Sequence, residues 1–418
     1  MSTTALPQVR IPRTPPVAEP SAGSDLRVLL VHNRYQRPGG EDQVFEAEAR
    51  LLEARGHHVA RYELHNDEVK ALGQATLAAR TVWSSPAYRA IHSRVQAEQI
   101  DVVHFHNTLP LVSPAGYWAA RRAGAAVVQT LHNYRLVCPG ALLYRDGQVC
   151  TDCLGKAVAL PAVKHACYRD SHAATAAIAT TTATHRALGT YSHAVDRYVV
   201  LTDFAREVFE RGGLPADRLH VKPNFLVDDP GAGSGGGGFA LFVGRLDETK
   251  GVRTLLDAWD RDGMPPLVVV GDGPLAGDVQ AAHDAGRLDW RGWMDHDALL
   301  VLMHRAEALI VPSLWYEGAP MTIVEGFACG LPVVASDLGA LKTMVQERRN
   351  GLRFTPGDAN ELAAATMRVA SNPGFRRALG KQARRTFEAR YHAGTNYTHL
   401  LTLYTDAVRQ RRGQTASG

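Results

Sequence analysis

The chain has 418 residues, of which 45% are hydrophobic and 21% charged, and a formal net charge of +4. This is the composition of ordinary globular protein, with length for two or three domains. So slight a positive balance gives no footing for a nucleic-acid partner, and no apolar run approaches the length of a transmembrane helix.

Residues 1–24 are rich in Pro, Ser, Ala and Thr and lack an apolar core. They read as a disordered leader and not as a signal peptide, which points to the cytoplasm. Residues 26–31 form an apolar strand, followed by a loop that ends in Pro38-Gly39-Gly40-Glu41. Residues 41–55 then carry Val44, Phe45, Glu48, Leu51 and Leu52 at helical spacing. Strands are expected from residue 59 and over 102–105, 126–131 and 197–201, with helices between them. Continuous apolar strands alternating with helices indicate a parallel sheet covered on both faces. Residues 228–238 include Pro-Gly-Ala-Gly-Ser and four further glycines, and read as a flexible linker. The pattern then restarts, with strands at 239–243, 267–270, 308–311 and 332–335. The expected organisation is therefore a leader (1–24), a first α/β domain (25–227), the linker (228–238), a second α/β domain (239–390) and a final helix (391–412) packing across both. Basic clusters at Arg376-Arg377, Arg384-Arg385 and residues 409–412 read as solvated helix faces, with weak attraction to an anionic membrane surface as the sharper alternative.

The ends of the later strands carry the chemistry. Gly244-Arg245 follows one strand, with Lys250-Gly251 shortly after; Gly271-Asp272-Gly273-Pro274 follows another. A third runs into a small-residue loop holding Glu317-Gly318-Ala319-Pro320-Met321, with Glu325 two helical turns on. In open α/β sheets ligands bind beyond the carboxyl ends of strands. Two cations there can hold a diphosphate, and a helix N-terminus attracts anions through its unpaired N–H groups. Glu325 lies among Ile323, Val324, Phe327 and Ala328, and a charge there needs a partner or a ligand. The dinucleotide fingerprint is matched only weakly, since Gly271-Asp-Gly-Pro-Leu-Ala lacks its third glycine, and no Walker lysine motif is present.

Four of the five cysteines lie close together: Cys138, Cys150, Cys153 and Cys167. The Cys-x-x-Cys corner with two outlying partners has the outline of a structural four-thiolate zinc site, with His165 and His172 as substitute ligands. Between them, a hairpin is expected with an Asp146-Gly147 turn. Reduced cysteines without metal are the alternative, and disulfides are disfavoured in the cytoplasm. Cys329, alone in an apolar helix, reads as core filler.

In this order, Gly244-Arg245…Lys250-Gly251, Gly271-Asp-Gly-Pro and Glu317-x(7)-Glu325 make the chain resemble a retaining glycosyltransferase of family 4, over about residues 26–411. The resemblance implies the GT-B fold: two Rossmann-like, doubly wound α/β domains facing across a cleft, here with a small Cys-rich insert (about 138–167) in the first. It implies that Arg245 and Lys250 bind the diphosphate of a nucleoside-diphosphate sugar, that Glu317 meets the donor sugar and that Glu325 meets the ribose. The backbone of Gly244, Gly271, Gly273 and Gly318 to Met321 would line the same site, with residues 290–294 near the base. In the first domain it implies that Gly39 and Gly40 form a glycine-rich loop over the cleft and that His132 lies near the transferred sugar. His106 and Asn133 are expected on the acceptor side, and His104 packed in its strand.

The catalytic set expected from the resemblance is thus Glu317, His132, Arg245 and Lys250. No carboxylate is placeable under the anomeric carbon, so front-side attack is preferred to double displacement. No Asp-x-Asp motif stands at a strand end, so no metal is expected for catalysis, with zinc at most structural. The acceptor is a hydroxyl of a saccharide, a lipid-linked sugar or a small metabolite. A hydrolysing nucleotide-sugar epimerase and a non-catalytic nucleotide-sugar-binding protein on the same fold are the rival readings.

Overall fold

The computed structural model describes residues 25–36 and 39–416. The expected leader and Pro38 lie outside the described residues. Eight strands precede the glycine-rich segment: β1 (Arg27–Arg34), β2 (His58–His65), β3 (Val102–Phe105), β4 (Ala126–Leu131), β5 (Tyr144–Arg145), β6 (Gln148–Val149), β7 (Arg197–Val200) and β8 (Leu219–Val221). Six follow it: β9 (Ala240–Val243), β10 (Leu267–Val270), β11 (Asp289–Trp290), β12 (Ala308–Val311), β13 (Val333–Ser336) and β14 (Gly351–Phe354). They form two parallel six-stranded sheets, ordered β2-β1-β3-β4-β7-β8 and β11-β10-β9-β12-β13-β14. β5 and β6 pair separately and antiparallel, turning at Asp146 and Gly147, both with positive φ as a tight hairpin requires.

The inner strands of each sheet are apolar because they are buried on both sides, whereas the edge strands β2 and β11 are only partly covered. In the first sheet Leu29, Val31, Val103, Phe105 and Val127 pack into one core, while their neighbours Val28, Leu30, Val102, Ala126 and Val128 pack into another. The second of these cores is closed by the last helix, Ala393–Ala416, through Leu400, Leu403, Tyr404, Ala407 and Val408. The chain's final helix therefore leaves the second domain and covers a face of the first.

Each sheet reverses its strand order once, between β1 and β3 in the first and between β9 and β12 in the second. A crevice opens at such a point, because the connections on either side turn away from each other.

The chain crosses between domains twice, and the crossings touch. Leu226 N–H donates to the Tyr391 carbonyl (3.2 Å) and Asn396 Nδ2 to the Pro223 carbonyl (2.8 Å). Residues 228–238, expected to be a free tether, are laid along the second domain instead. The N–H groups of Gly233, Gly235 and Gly237 bond the carbonyls of Cys329, His304 and Arg305 at 2.8–3.0 Å. The glycines are there for close approach, since a Cβ on Gly233 would stand 2.4 Å from the His304 oxygen.

Candidate functional site

Glycine packing draws the strand ends of the second domain together. A Cβ on Gly251 would lie 1.9 Å from the Pro312 oxygen, one on Gly271 1.9 Å from the Gly244 oxygen, and one on Gly273 2.5 Å from the Leu246 oxygen. Gly251 and Gly271 also hold positive φ (70° and 137°). The turn after β9 is thereby pressed against the loops after β10 and β12.

At the β9/β12 reversal this brings two predicted residues into contact. Lys250 Nζ donates to Glu317 Oε1 at 2.7 Å, and Ser313 Oγ donates to the same oxygen at 2.7 Å. Lys250 also stands 5.6 Å from the Trp315 ring. Beyond Gly318-Ala319-Pro320 begins the helix Met321–Ala328, whose N-terminus has no side-chain cap. The N–H groups of Met321 and Thr322 are left open to an anion, while that of Ile323 bonds the Pro320 carbonyl at 3.2 Å. Glu325 lies on the buried face of this helix, with His296 Nδ1 at 3.6 Å. Burial raises its carboxyl above the usual range, against the pull of His296. Arg245, at the same tip as Lys250, is two-thirds exposed and rests 3.2 Å from Asp247. Trp290 Nε1 donates to the Gly271 carbonyl at 2.9 Å, while Trp293 is exposed.

The first domain answers with a different kind of surface. Gly39 precedes the helix Gly40–Glu53, and its N–H donates to Asp42 Oδ2 at 2.8 Å. Asp42 also holds His32 Nε2 at 2.9 Å; burial would raise its carboxyl, but His32 and the Gly39 N–H bring it below the usual range. Glu41 Oε1 accepts from Asn133 Nδ2 at 2.7 Å, and burial pushes the Glu41 carboxyl up despite Asn133 and Tyr35. His132, at the tip of β4, is half-buried, with its Nε2 3.0 Å from His106 Nδ1.

His106 does not face the cleft as the sequence suggested. It stands behind His132, fully enclosed, and its Nε2 lies 3.4 Å from Glu48 Oε2. The outer positions are taken by His132 and Asn133, so the side chain one strand inward is screened. His104 is packed as expected, between Tyr404 Oη (2.7 Å) and Thr130 Oγ1 (2.8 Å), with Glu48 Oε2 at 3.3 Å. Lys222 Nζ completes the cluster, 2.6 Å from Glu48 Oε1 and 3.2 Å from Asn396 Oδ1. Burial would raise Glu48, but Lys222, His104 and His106 hold its carboxyl well below the usual range.

The two sets of strand ends meet directly. A Cβ on Gly318 would stand 2.7 Å from the His132 oxygen, and one on Gly40 3.9 Å from Met321 Cγ. Tyr134 Oη donates to the Glu317 carbonyl (3.2 Å), Asn224 Nδ2 to the Ala319 carbonyl (3.0 Å), and the Phe204 and Tyr316 rings lie 4.6 Å apart. His132, Gly40, Glu317, Gly318 and Met321 thus border one crevice.

The four clustered cysteines are free thiols. Ala162 lies between two of them: its carbonyl accepts from the Cys167 N–H at 3.1 Å, while its N–H, bonded to the Ala159 carbonyl at 3.1 Å, lies beside the Cys153 thiol. Gly140, two residues past Cys138, is packed so closely that a Cβ would meet the Cys167 oxygen at 2.9 Å. Burial first, then the other three thiols, push Cys153 up to about 11 in spite of the Ala162 N–H. The donor set suits zinc, although no three of the sulfurs close to within 4.8 Å of one another. Among the described residues that spacing is met by Glu48, His104 and His106, where Lys222 already supplies the compensating charge.

Sequence reasoning missed Glu41, Glu48, Lys222 and Tyr134. Glu48 left a signal, a carboxylate at an apolar helical position between Phe45 and Leu52. Lys222 left none, because its partner is 174 residues away.

A family model described as Glycosyltransferase Family 4 matches residues 38–229, and one described as Glycosyl transferases group 1 matches residues 238–372. A glycogen synthase of Mycobacterium tuberculosis is 31% identical over 180 residues, covering 41% of this chain and 43% of its own. This chain therefore spans less than half of that relative. A phosphatidyl-myo-inositol mannosyltransferase of Mycobacterium leprae is 24% identical over 384 residues, covering 85% and 90%. Among solved structures, HepE of Anabaena in complex with UDP superposes with a TM-score of 0.64 at 16% identity, over 91% of this chain and all of that one.

Proposed function

The chain belongs to the GT-B glycosyltransferases of the family 4 type, and from that premise we propose that it moves a sugar, with retention at the anomeric carbon, from a nucleoside-diphosphate sugar to an acceptor hydroxyl. The observation that carries this reading is the contact of Lys250 with Glu317 at the β9/β12 reversal, just before an uncapped helix N-terminus. The diphosphate would sit where Lys250, Arg245 and the N–H groups of the Met321 turn converge. Donor entry then exchanges the Lys250–Glu317 ion pair for Lys250–phosphate and Glu317–sugar-hydroxyl bonds. Glu325, at the next turn, is left for the ribose.

The acceptor would approach from the His132, Asn133 and Glu41 side. Attack occurs on the face the diphosphate leaves: the bond from the anomeric carbon to phosphate oxygen breaks as the bond to the acceptor oxygen forms. The departing diphosphate oxygen takes the acceptor's proton. Fixed charges at Arg245 and Lys250 and the helix N-terminus favour the departing anion, so the reading needs no catalytic metal. The HepE structures contain UDP, UDP-glucose and glucose, which makes uridine nucleotides the first donors to test. The setting we propose is the cytoplasm, which free thiols fit. No helix among the described residues is long and apolar enough to cross a membrane.

A thermal-shift panel of UDP-, GDP-, ADP- and dTDP-sugars should single out one nucleotide, because binding to the native state alone raises its stability. With that donor, Glu317→Ala should abolish most transfer while nucleotide binding survives. Near-normal turnover in Glu317→Ala would overturn the site. For the insert, we propose that side-chain rotation brings Cys138, Cys150, Cys153 and Cys167 onto one structural zinc. Metal analysis should find about one zinc per chain; a metal-free protein that stays folded would remove it.

A further inference from the structure

Behind His132 runs a line of buried polar groups that the transfer reaction does not itself use. Lys222 Nζ is 2.6 Å from Glu48 Oε1, Glu48 Oε2 is 3.4 Å from His106 Nε2, and His106 Nδ1 is 3.0 Å from His132 Nε2. Glu48, Lys222 and His106 are all within 3% of complete burial. Such groups are costly to bury unless each has a complementary partner.

The order of donors and acceptors along this line is fixed from its inner end. Glu48, paired with Lys222, is an ionised carboxylate and can only accept. His106 Nε2 lies 3.4 Å from its Oε2, a charge contact outside hydrogen-bond geometry, and neither atom has a hydrogen-bond partner among the described residues. A lone pair there would oppose the carboxylate lone pairs, so His106 carries its proton on Nε2. Burial disfavours a second proton on this ring, against the pull of Glu48. Its Nδ1 is then bare and must accept from His132, whose proton therefore lies on Nε2. Burial likewise keeps His132 neutral. His132 Nδ1, which makes no hydrogen bond among the described residues, is left as a bare acceptor.

We infer that Glu48, acting through His106, fixes the tautomer of His132, so that His132 Nδ1 meets the substrate as a hydrogen-bond acceptor for a sugar hydroxyl. Glu48 and His106 are positioning residues in this scheme. It deepens the transferase reading and rests on His132 bordering the sugar site. A pocket that accepts from a hydroxyl disfavours a sugar lacking that hydroxyl, because the buried acceptor is then left unpaired. The ring therefore contributes to specificity as well as placement. The surrounding titratable groups are His104, bound to Tyr404 and Thr130, and His32, bound to Asp42 with its ring centre 6.2 Å from that of His106.

The test needs no substrate. Full-length protein labelled with ¹⁵N-histidine reports each ring's tautomer in long-range ¹H–¹⁵N spectra, and His132→Asn assigns the His132 signals. The expected result is one His132 species with a bare Nδ1 and a protonated Nε2. In Glu48→Gln the carboxamide oxygen is held by Lys222 Nζ, so its NH₂ faces His106 Nε2, His106 carries its proton on Nδ1, and His132 should shift toward the tautomer protonated on Nδ1. His106→Leu, which removes the acceptor that His132 Nε2 faces, gives a second route to a changed His132 spectrum should Glu48→Gln fail to fold. A wild-type His132 protonated on Nδ1 overturns the inference, as does an unchanged His132 spectrum in either folded variant. Because the spectrum is read without ligand, its failure leaves the transferase proposal standing, and a failure of the Glu317→Ala test leaves the tautomer assignment standing.

Discussion

The two walls of the crevice hold charge in opposite ways. In the second domain the cations stand at the surface: Arg245 is two-thirds exposed, Lys250 about one-quarter, and backbone glycines rather than side chains set the shape. In the first domain the ionisable groups are sunk behind the surface and answer one another, with Glu48, Lys222, His104 and His106 all enclosed. On the proposed reading the wall of the second domain takes a diphosphate, for which exposed, hydrated cations that can exchange partners are suited. A wall meant for neutral hydroxyls needs donors and acceptors whose polarity cannot drift.

This contrast is broken most severely by Lys222→Ala. Removing one partner of a buried pair leaves Glu48 uncompensated and should cost about 3–5 kcal/mol. Denaturant or thermal unfolding measures it. The double variant Lys222→Met with Glu48→Gln should recover much of the loss, since both charges leave together. A single variant as stable as the parent would show the pair to be dispensable.

On the opposite wall, Gly251→Ala should cost about 2 kcal/mol, through left-handed backbone and contact with the Pro312 oxygen. It should also carry Lys250 away from Glu317 and weaken nucleotide binding about tenfold, read by calorimetry with the nucleotide the panel selects. Gly277→Ala is the control: a Cβ there meets nothing, and a helical site should gain slightly. Equal effects of the two substitutions would sink the claim that glycine packing builds the site.

The smallest effect is the pH dependence. Burial holds His104 and His132 well below their usual 6.5, and His106 below it. The unfolded chain therefore binds protons that the native state refuses. Their contribution is complete above the unfolded value and is lost as pH falls from there toward the folded values. Glu48, depressed well below 4.5, adds its loss at lower pH in the same direction. Melting temperature should be level above about pH 7 and decline below about pH 6.5. A protein melting higher at about pH 5 than at about pH 7.5 would contradict the buried-neutral assignment.

What the sequence made legible follows from locality. The alternation of apolar strands and helices, the hairpin at Asp146-Gly147 and the strand-loop-helix around Glu317 are written in consecutive residues, and the structure shows each. β11, two residues long, and β8, three, are too short to carry a period and become visible only through their parallel partners. The screening of His106 by His132 depends on the register of neighbouring strands. The Glu48–Lys222 pair depends on elements far apart in the chain. The glycines of residues 228–238 suggested looseness, whereas several serve close packing; composition alone does not separate these two uses of glycine.

The two touching crossings carry a mechanical consequence. Leu226 pairs with His392, and Asn396 reaches back to Pro223, so both passages of the chain lie side by side at one place. Two bodies joined by a single strand can swivel in any direction. Joined by two passages bonded to each other, they keep fewer directions of swing, something nearer a door on two pins, which favours the facing of His132 and Gly318 seen in the structure.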